Sequence, residues 1–93
     1  MSKVKRDCLR ILCGTAPFAL TAVVMTSRPW ASALFTGHQL TIAVESDDDE
    51  LLEDWLIALP EVELAWPGYF VASAEVVARD VNVATIEVLA VES

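Results

Sequence analysis

The sequence predicts a small α+β domain: an antiparallel sheet of about four strands with one long amphipathic helix on a face and a short N-terminal helix. Three observations predict this class. Apolar residues recur at helical spacing in two segments, they alternate with polar residues in others, and turn signals separate these segments. With 93 residues, 55% of them hydrophobic, the chain suffices for a single core. We therefore assign residues 1–93 to one domain.

The N-terminal third supports two interpretations, and we favour the one in which it folds. Its apolar residues at the i, i+4, i+7 and i+8 positions would share one helical face: Val4, Cys8, Ile11 and Leu12. Gly14 and Pro17 would end this helix. The run PFALTAVVMTS that follows is rich in β-branched and aromatic residues, which favours a strand.

The same segment, residues 1–33, also resembles an export signal. A basic start, MSKVKR, precedes an uncharged run from Ile11 to Ser27, and Ala31-Ser32-Ala33 resembles a cleavage site. Cleavage near Ala33 would leave residues 34–93 as the mature region, and an uncleaved segment would be a membrane anchor. The run is shorter than the ~20 residues of a bilayer span. We therefore expect a cytoplasmic protein without a membrane contact, with export as the alternative.

The most regular strand pattern is HQLTIAVE, residues 38–45. Leu40, Ile42 and Val44 alternate with polar residues, which predicts a strand with one buried and one exposed face. The turn signal Thr36-Gly37 precedes it. This strand could pair with the preceding apolar run in an antiparallel hairpin.

The next segment, SDDDELLEDW, predicts the long helix. Ser46 is a suitable N-cap, and Asp49 takes the place of the glutamate of a capping box. Acids in the first turn are stabilised by the helix dipole. The apolar positions that follow fall on one face: Leu51, Leu52, Trp55, Leu56 and Leu59. Pro60 is expected to end the helix.

Two further strands are predicted after Pro67-Gly68, a pair typical of a type II turn. The first, from Phe70 to Arg79, is expected to hold alternate residues on one face: Phe70, Ala72, Ala74, Val76 and Ala78. The last, from Val83 to Val91, has small and aliphatic residues on one side: Ala84, Ile86, Val88 and Ala90. A turn at 80–82 would join them. This order of elements suggests a split β-α-β arrangement of ferredoxin-like character.

Charge divides the chain into two unequal parts. Residues 1–28 have a balance of +4, whereas residues 29–93 contain thirteen acidic side chains and one base, Arg79, a balance of −12. A surface of this sign repels nucleic-acid phosphates and attracts basic proteins. We therefore expect no direct nucleic-acid binding and a basic protein as the partner.

No pattern in the sequence indicates catalysis, a cofactor or a metal. Cys8 and Cys13 have the spacing of neither a CxxC pair nor a zinc half-site, and His38 is the only histidine. Nucleophile motifs and phosphate-binding fingerprints are missing from the sequence. The acids at 47–54 lack the spacing and central glycine of a calcium loop. The sequence thus favours a protein that is not an enzyme.

These observations favour a small acidic binding protein: an inhibitor or regulator that docks on a basic, nucleic-acid-handling protein and occludes it by charge mimicry. Small acidic inhibitors from bacteria and phages share its size and charge, an analogy of physical class alone. The candidate partner-binding residues are Asp47, Asp48, Glu50, Glu53, Asp54, Trp66 and Tyr69. Besides export, a self-assembly module, such as a homodimer paired through strand edges, is the other alternative.

Overall fold

A computed structural model describes residues 2–93, which form a single sheet with helices on one side. In chain order the elements are α1 (Lys3–Thr15), β1 (Thr21–Ala31), β2 (Thr36–Glu45), α2 (Asp49–Ala58), the 3₁₀ turn Leu59–Glu61, β3 (Tyr69–Asp80) and β4 (Val83–Glu92). The predicted α+β class with a four-stranded antiparallel sheet is confirmed.

The strands lie in the order β1-β2-β4-β3, and each neighbouring pair is antiparallel. Since β2 and β3 both run against β4, which lies between them, they are parallel to each other, and α2 connects them. This is a split β-α-β unit. Joining the end of β4 to the start of α1 and opening the β1–β2 loop would give the ferredoxin-like order β-α-β-β-α-β. The topology is therefore a circular permutation of that order.

The core lies between the helices and one face of the sheet. The two central strands supply its largest share, because their alternate residues are buried as predicted: Leu40, Ile42 and Val44 from β2, and Ala84, Ile86, Val88 and Ala90 from β4. Helix α1 adds Cys8 and Leu12. Helix α2 adds its buried residues Leu52, Trp55 and Leu56.

The two helices contact each other where Trp55 of α2 meets the C-terminal end of α1. Its indole N–H donates a hydrogen bond of 3.0 Å to the hydroxyl of Thr15 at the end of α1. The ring of Phe18 meets the indole edge to face, with 6.4 Å between ring centroids. Residues 3–31 thus take part in the core and the sheet. Among residues 2–93 no helix has the length and apolar character needed to cross a membrane.

The helix expected to be long is the shorter of the two. Helix α2 has 10 residues, whereas α1, expected to be short, has 13. The chain after α2 tightens into the 3₁₀ turn, which contains Pro60. At the other end, α2 begins later than predicted, because Asp48 rather than Ser46 is its N-cap.

The predicted alternation along β3 is wrong, because two β-bulges interrupt the strand. The register with β4 skips Ala72 and Val77. Each extra residue switches the side chains that follow to the other face. Ala74 and Val76 therefore face the helices, while Phe70 and Ala78 face away.

Both edge strands of the sheet are bulged. Strand β1 skips Met25 in its register with β2 and contains Pro29, and β3 carries its two bulges on the other edge. Bulges and proline disfavour the pairing of an edge with another chain. This is a physical argument against self-assembly through strand edges.

Gly37 is a position in β2 at which the neighbouring backbone of β4 leaves no room for a side chain. A Cβ atom there would overlap the carbonyl oxygen of Ala90 and lie 2.9 Å from the Cα atom of Val91. We expect Gly37→Ala to lower the free energy of unfolding by about 1–3 kcal/mol, measured by urea denaturation. Gly14→Ala is the control, because nothing lies within 4 Å of its added Cβ. Because Gly14 lies in α1, Gly14→Ala should raise the free energy of unfolding by up to about 1 kcal/mol. A Gly37→Ala midpoint equal to that of the native sequence would contradict this account.

Candidate functional site

The acidic residues at the start of α2 are not equivalent, because the fold itself uses two of them. The first is Asp48, whose carboxylate accepts the backbone N–H of Leu51 at 3.0 Å and so caps the helix. The predicted N-cap, Ser46, is instead buried, and its hydroxyl accepts the backbone N–H of Asp48 at 3.2 Å. The capping function thus lies two residues further along the chain than expected.

The second is Asp49, which fastens α2 to the turn between β3 and β4. One of its carboxylate oxygens accepts the backbone N–H of Asn82 at 2.7 Å and the guanidinium of Arg79 at 2.8 Å. The side-chain amide of Asn82 donates to the carbonyl of Ser46 at 2.7 Å. We call Ser46, Asp49, Arg79 and Asn82 the Asp49 clamp. Its hydrogen bonds connect residues 30 or more positions apart.

The Asp49 clamp lowers the pKa of the Asp49 carboxyl. The backbone N–H of Asn82 is the larger cause and the hydrogen bond from Arg79 the second, since both stabilise the ionised form. A carboxyl with a lower pKa in the folded state stabilises the fold above its unfolded pKa of about 4. That contribution is lost as the pH falls through the lowered folded pKa.

We expect Asp49→Asn to lower the urea midpoint at neutral pH, because the clamp loses its charged acceptor. The difference between the two midpoints should shrink as the pH falls below about 4, where Asp49 becomes protonated in the native protein as well. Asp47→Asn is the control, since Asp47 is exposed. A pH-independent difference for Asp49→Asn would show that the carboxylate charge has no part in the clamp.

The remaining predicted acids are exposed on α2 or just before it: Asp47, Glu50, Glu53 and Asp54. Of these, Glu53 has its carboxylate 3.4 Å from the guanidinium of Arg79. Glu50 and Asp54, spaced at i and i+4, lie on one side of the helix, whereas Asp47 precedes the N-cap Asp48.

The predicted aromatic residues lie elsewhere in the molecule. Trp66 is only 5% exposed and belongs to the core, and Tyr69 is half-buried. Their backbones form the predicted type II turn, with Tyr69 N–H donating to the Trp66 carbonyl at 3.0 Å and Gly68 at φ +84°.

The predicted acids and aromatics therefore do not form one patch. Tyr69 pairs with Glu92 at the end of β4, whereas the Asp49 clamp lies beside the start of that strand. Ten residues of β4 separate the two ends, on the order of 30 Å at 3.3 Å per residue.

Cys8 is buried in the core, and Cys13 and His38 contact neighbouring parts of the fold. Burial and the nearby Cys13 raise the pKa of the Cys8 thiol to about 12. Burial also raises the pKa of Cys13, whose thiol contacts the carbonyl of Leu20 at 3.7 Å. The His38 ring lies 6.2 Å from that of Tyr69. Within residues 2–93, no three His, Cys, Asp or Glu side chains are grouped so as to hold a metal ion.

Sequence analysis placed no candidate site residue on the face of the sheet opposite the helices, which we call the open face. The cross-strand register and the burial of the other side place four acidic side chains on it: Glu45, Glu75, Asp80 and Glu87. The only basic side chain that the described strands place on this face is Arg28, which donates to the amide oxygen of Gln39 at 3.3 Å. The open face is therefore acidic.

The acids on the open face occupy two separate rows across the strands. In the row beside the start of α2, Val83 lies between Glu45 and Asp80. Two rows along, Glu75 stands directly opposite Glu87. The row between them is formed by small and apolar side chains and Thr85: Val23, Ala43, Thr85 and Ala78. A depression of about 400 Å³ lies over the first two rows.

The far end of the open face is aromatic. Its last row consists of Trp30, Gly37, Val91 and Phe70. From the β1–β2 loop, Phe35 meets Phe70 edge to face, with ring centroids 6.2 Å apart. Val91 is 2% exposed although it lies on the side without helices, which indicates that side chains of this end cover it. A sequence signal for this face existed in Leu89 and Val91, the apolar residues on the second face of β4.

Comparisons with known proteins give no match for this chain: no protein-family model fits it, and no curated protein and no solved structure is significantly similar to it.

Proposed function

We propose that this chain is a small acidic, non-catalytic binding protein that inhibits or regulates a basic, nucleic-acid-handling protein by occupying its phosphate-binding surface. One observation carries the proposal. After residue 28, eleven of the thirteen acidic side chains take part in no ion pair within residues 2–93; the other two, Asp49 and Glu53, both pair with Arg79. This excess of carboxylates is available to bases on a partner.

The mechanism we propose is occlusion by charge mimicry. Lysine and arginine side chains that bind phosphate also bind carboxylates, and arginine does so with two parallel hydrogen bonds. Glu50 and Asp54 present such carboxylates on one side of α2, and Asp47 adds an exposed carboxylate just before the helix. Long-range attraction between a chain of net charge −8 and a basic partner would also accelerate their encounter. Cytoplasmic action fits this proposal, because the partners would then meet in one compartment.

The test is capture of basic proteins by the immobilised chain, with elution by duplex DNA at constant ionic strength. We expect the captured proteins to be DNA-elutable. The double reversal Glu50→Lys, Asp54→Lys should reduce capture at least about tenfold, because it places like charges against the partner. The pair Glu61→Lys, Glu63→Lys changes the net charge equally at exposed positions outside α2 and is the control. If the variant with Glu50→Lys and Asp54→Lys captured basic proteins as well as the native sequence does, the proposal would be rejected for these residues.

Export remains the alternative proposal, and it has a structural consequence. Cleavage near Ala33 would remove α1 and β1, including the buried Leu12 and every pairing of β2 with β1. The mature region 34–93 would then need a partner or a rearrangement to cover β2. An intact mass lacking the first 33 residues, measured on protein expressed in bacteria, would support export, and a full-length mass would count against it.

A further inference from the structure

We propose that the open face binds a basic amphipathic helix of the partner protein. The proposal rests on the binding function proposed above and names a surface that performs it. The two helices of the chain pack on the other side of the sheet, and the described residues leave the open face without a cover. Apolar side chains remain accessible on it, with exposed fractions of 57% for Val23, 47% for Phe35 and 45% for Phe70.

The dimensions of the open face fit one helix. Four strands about 4.8 Å apart span roughly 14 Å from the first to the last, and strands of ten residues extend about 33 Å. An α-helix with its side chains is about 10–12 Å wide. One helix laid along the strands would therefore cover the central strands β2 and β4 and leave only the two edges of the face in water.

The pair Glu75 and Glu87 indicates that the helix is basic. Like charges directly opposite on neighbouring strands are unfavourable for the sheet, and Glu87 is also partly buried. Neither carboxylate forms an ion pair or a side-chain hydrogen bond within residues 2–93. A lysine or arginine from a partner, placed between the two carboxylates, would replace this repulsion by attraction.

The spacing of the acidic rows specifies the helix further. The row of Glu45 and Asp80 lies four residues along β4 from that of Glu87, about 13 Å. In a helix, residues i and i+8 are about 12 Å apart along the axis and about 80° apart around it, within the width of one amphipathic face. A partner helix with bases at i and i+8 and an apolar residue at i+4 would place that residue over Ala43 and Thr85, at the centre of the row between the acids.

A second copy of this chain fits the open face less well. Two open faces would bring their acids together, and α1, the one basic helix of the described residues, exposes Lys3, Arg6 and Arg10. Its apolar side is buried in its own core, and the residue four positions after Lys3 is Asp7. Helix α1 thus lacks the apolar residue between the bases.

The experiment uses the full chain and two synthetic helical peptides of equal composition. One carries Lys at positions i and i+8 with Leu at i+4 and alanine elsewhere; the other has the same residues scrambled. Nuclear magnetic resonance of the ¹⁵N-labelled protein should show shifts at Ala43, Thr85 and Glu87 with the patterned peptide. The scrambled peptide should bind at least about threefold more weakly, which corresponds to one good surface ion pair.

The substitution Glu87→Gln separates binding from folding. It should weaken binding of the patterned peptide about threefold while raising the urea midpoint of the protein, because it removes the repulsion from Glu75. Glu63→Gln makes the same change of charge outside the open face and should alter neither quantity. If the fold required Glu87, Glu87→Gln would instead lower the urea midpoint, and that result would overturn the proposal.

Three other outcomes would also overturn it. In the first, the two peptides bind equally well or neither binds. In the second, the resonance shifts are confined to α2. In the third, sedimentation shows a concentration-dependent dimer, and the resonance shifts that accompany dimerisation fall on the open face. The first two leave the charge-mimicry function standing if DNA-elutable capture persists, and the third would make a second copy the occupant. Conversely, peptide binding at the open face without any capture of basic proteins would reject the inhibitor function and retain the surface.

Discussion

The pairing of β2 with β4 is the constraint on which the rest of the structure depends. Nine residue pairs in register put the apolar residues of both central strands on one side, Ile42 opposite Ile86 among them. A slip of one residue would turn this set towards water, so the core fixes the register. Both helices then have to pack on that side. The uncovered and acidic open face is therefore a direct consequence of how the core is built.

The elements that sequence analysis predicted correctly are those whose pattern is local. The alternation around Ile42 and Ile86 predicts strands with one buried face, and Pro67-Gly68 predicts the type II turn, because each signal needs only neighbouring residues. The apolar spacing of the first twelve residues likewise predicted α1. Such local patterns predict the folded structure correctly because the same physical preference acts on the isolated segment and on the assembled sheet.

What sequence analysis could not predict depends on contacts between distant segments. The bulges at Ala72 and Val77 arise from the register with β4, and nothing in the alternation of β3 itself marks them. Ser46 has the residue type of an N-cap, but its carbonyl and N–H pair with Asn82, which moves the cap to Asp48. For the same reason Asp49 does not have the capping-box role that the sequence predicts. Its role depends on Asn82, 33 residues away.

The acidic residues separate into those that the fold uses and those that it does not. Asp48 and Asp49 have defined hydrogen-bond partners, so their charges are explained by the start of α2 and by the clamp. Glu75 and Glu87 are different, because an uncharged polar residue would satisfy the same sheet positions without repulsion, as Thr41 does beside them. The acids of α2 and those of the open face lie on opposite sides of the sheet. A single segment of a partner cannot cover both, so in the proposed complex one part of the partner meets α2 while its helix occupies the open face.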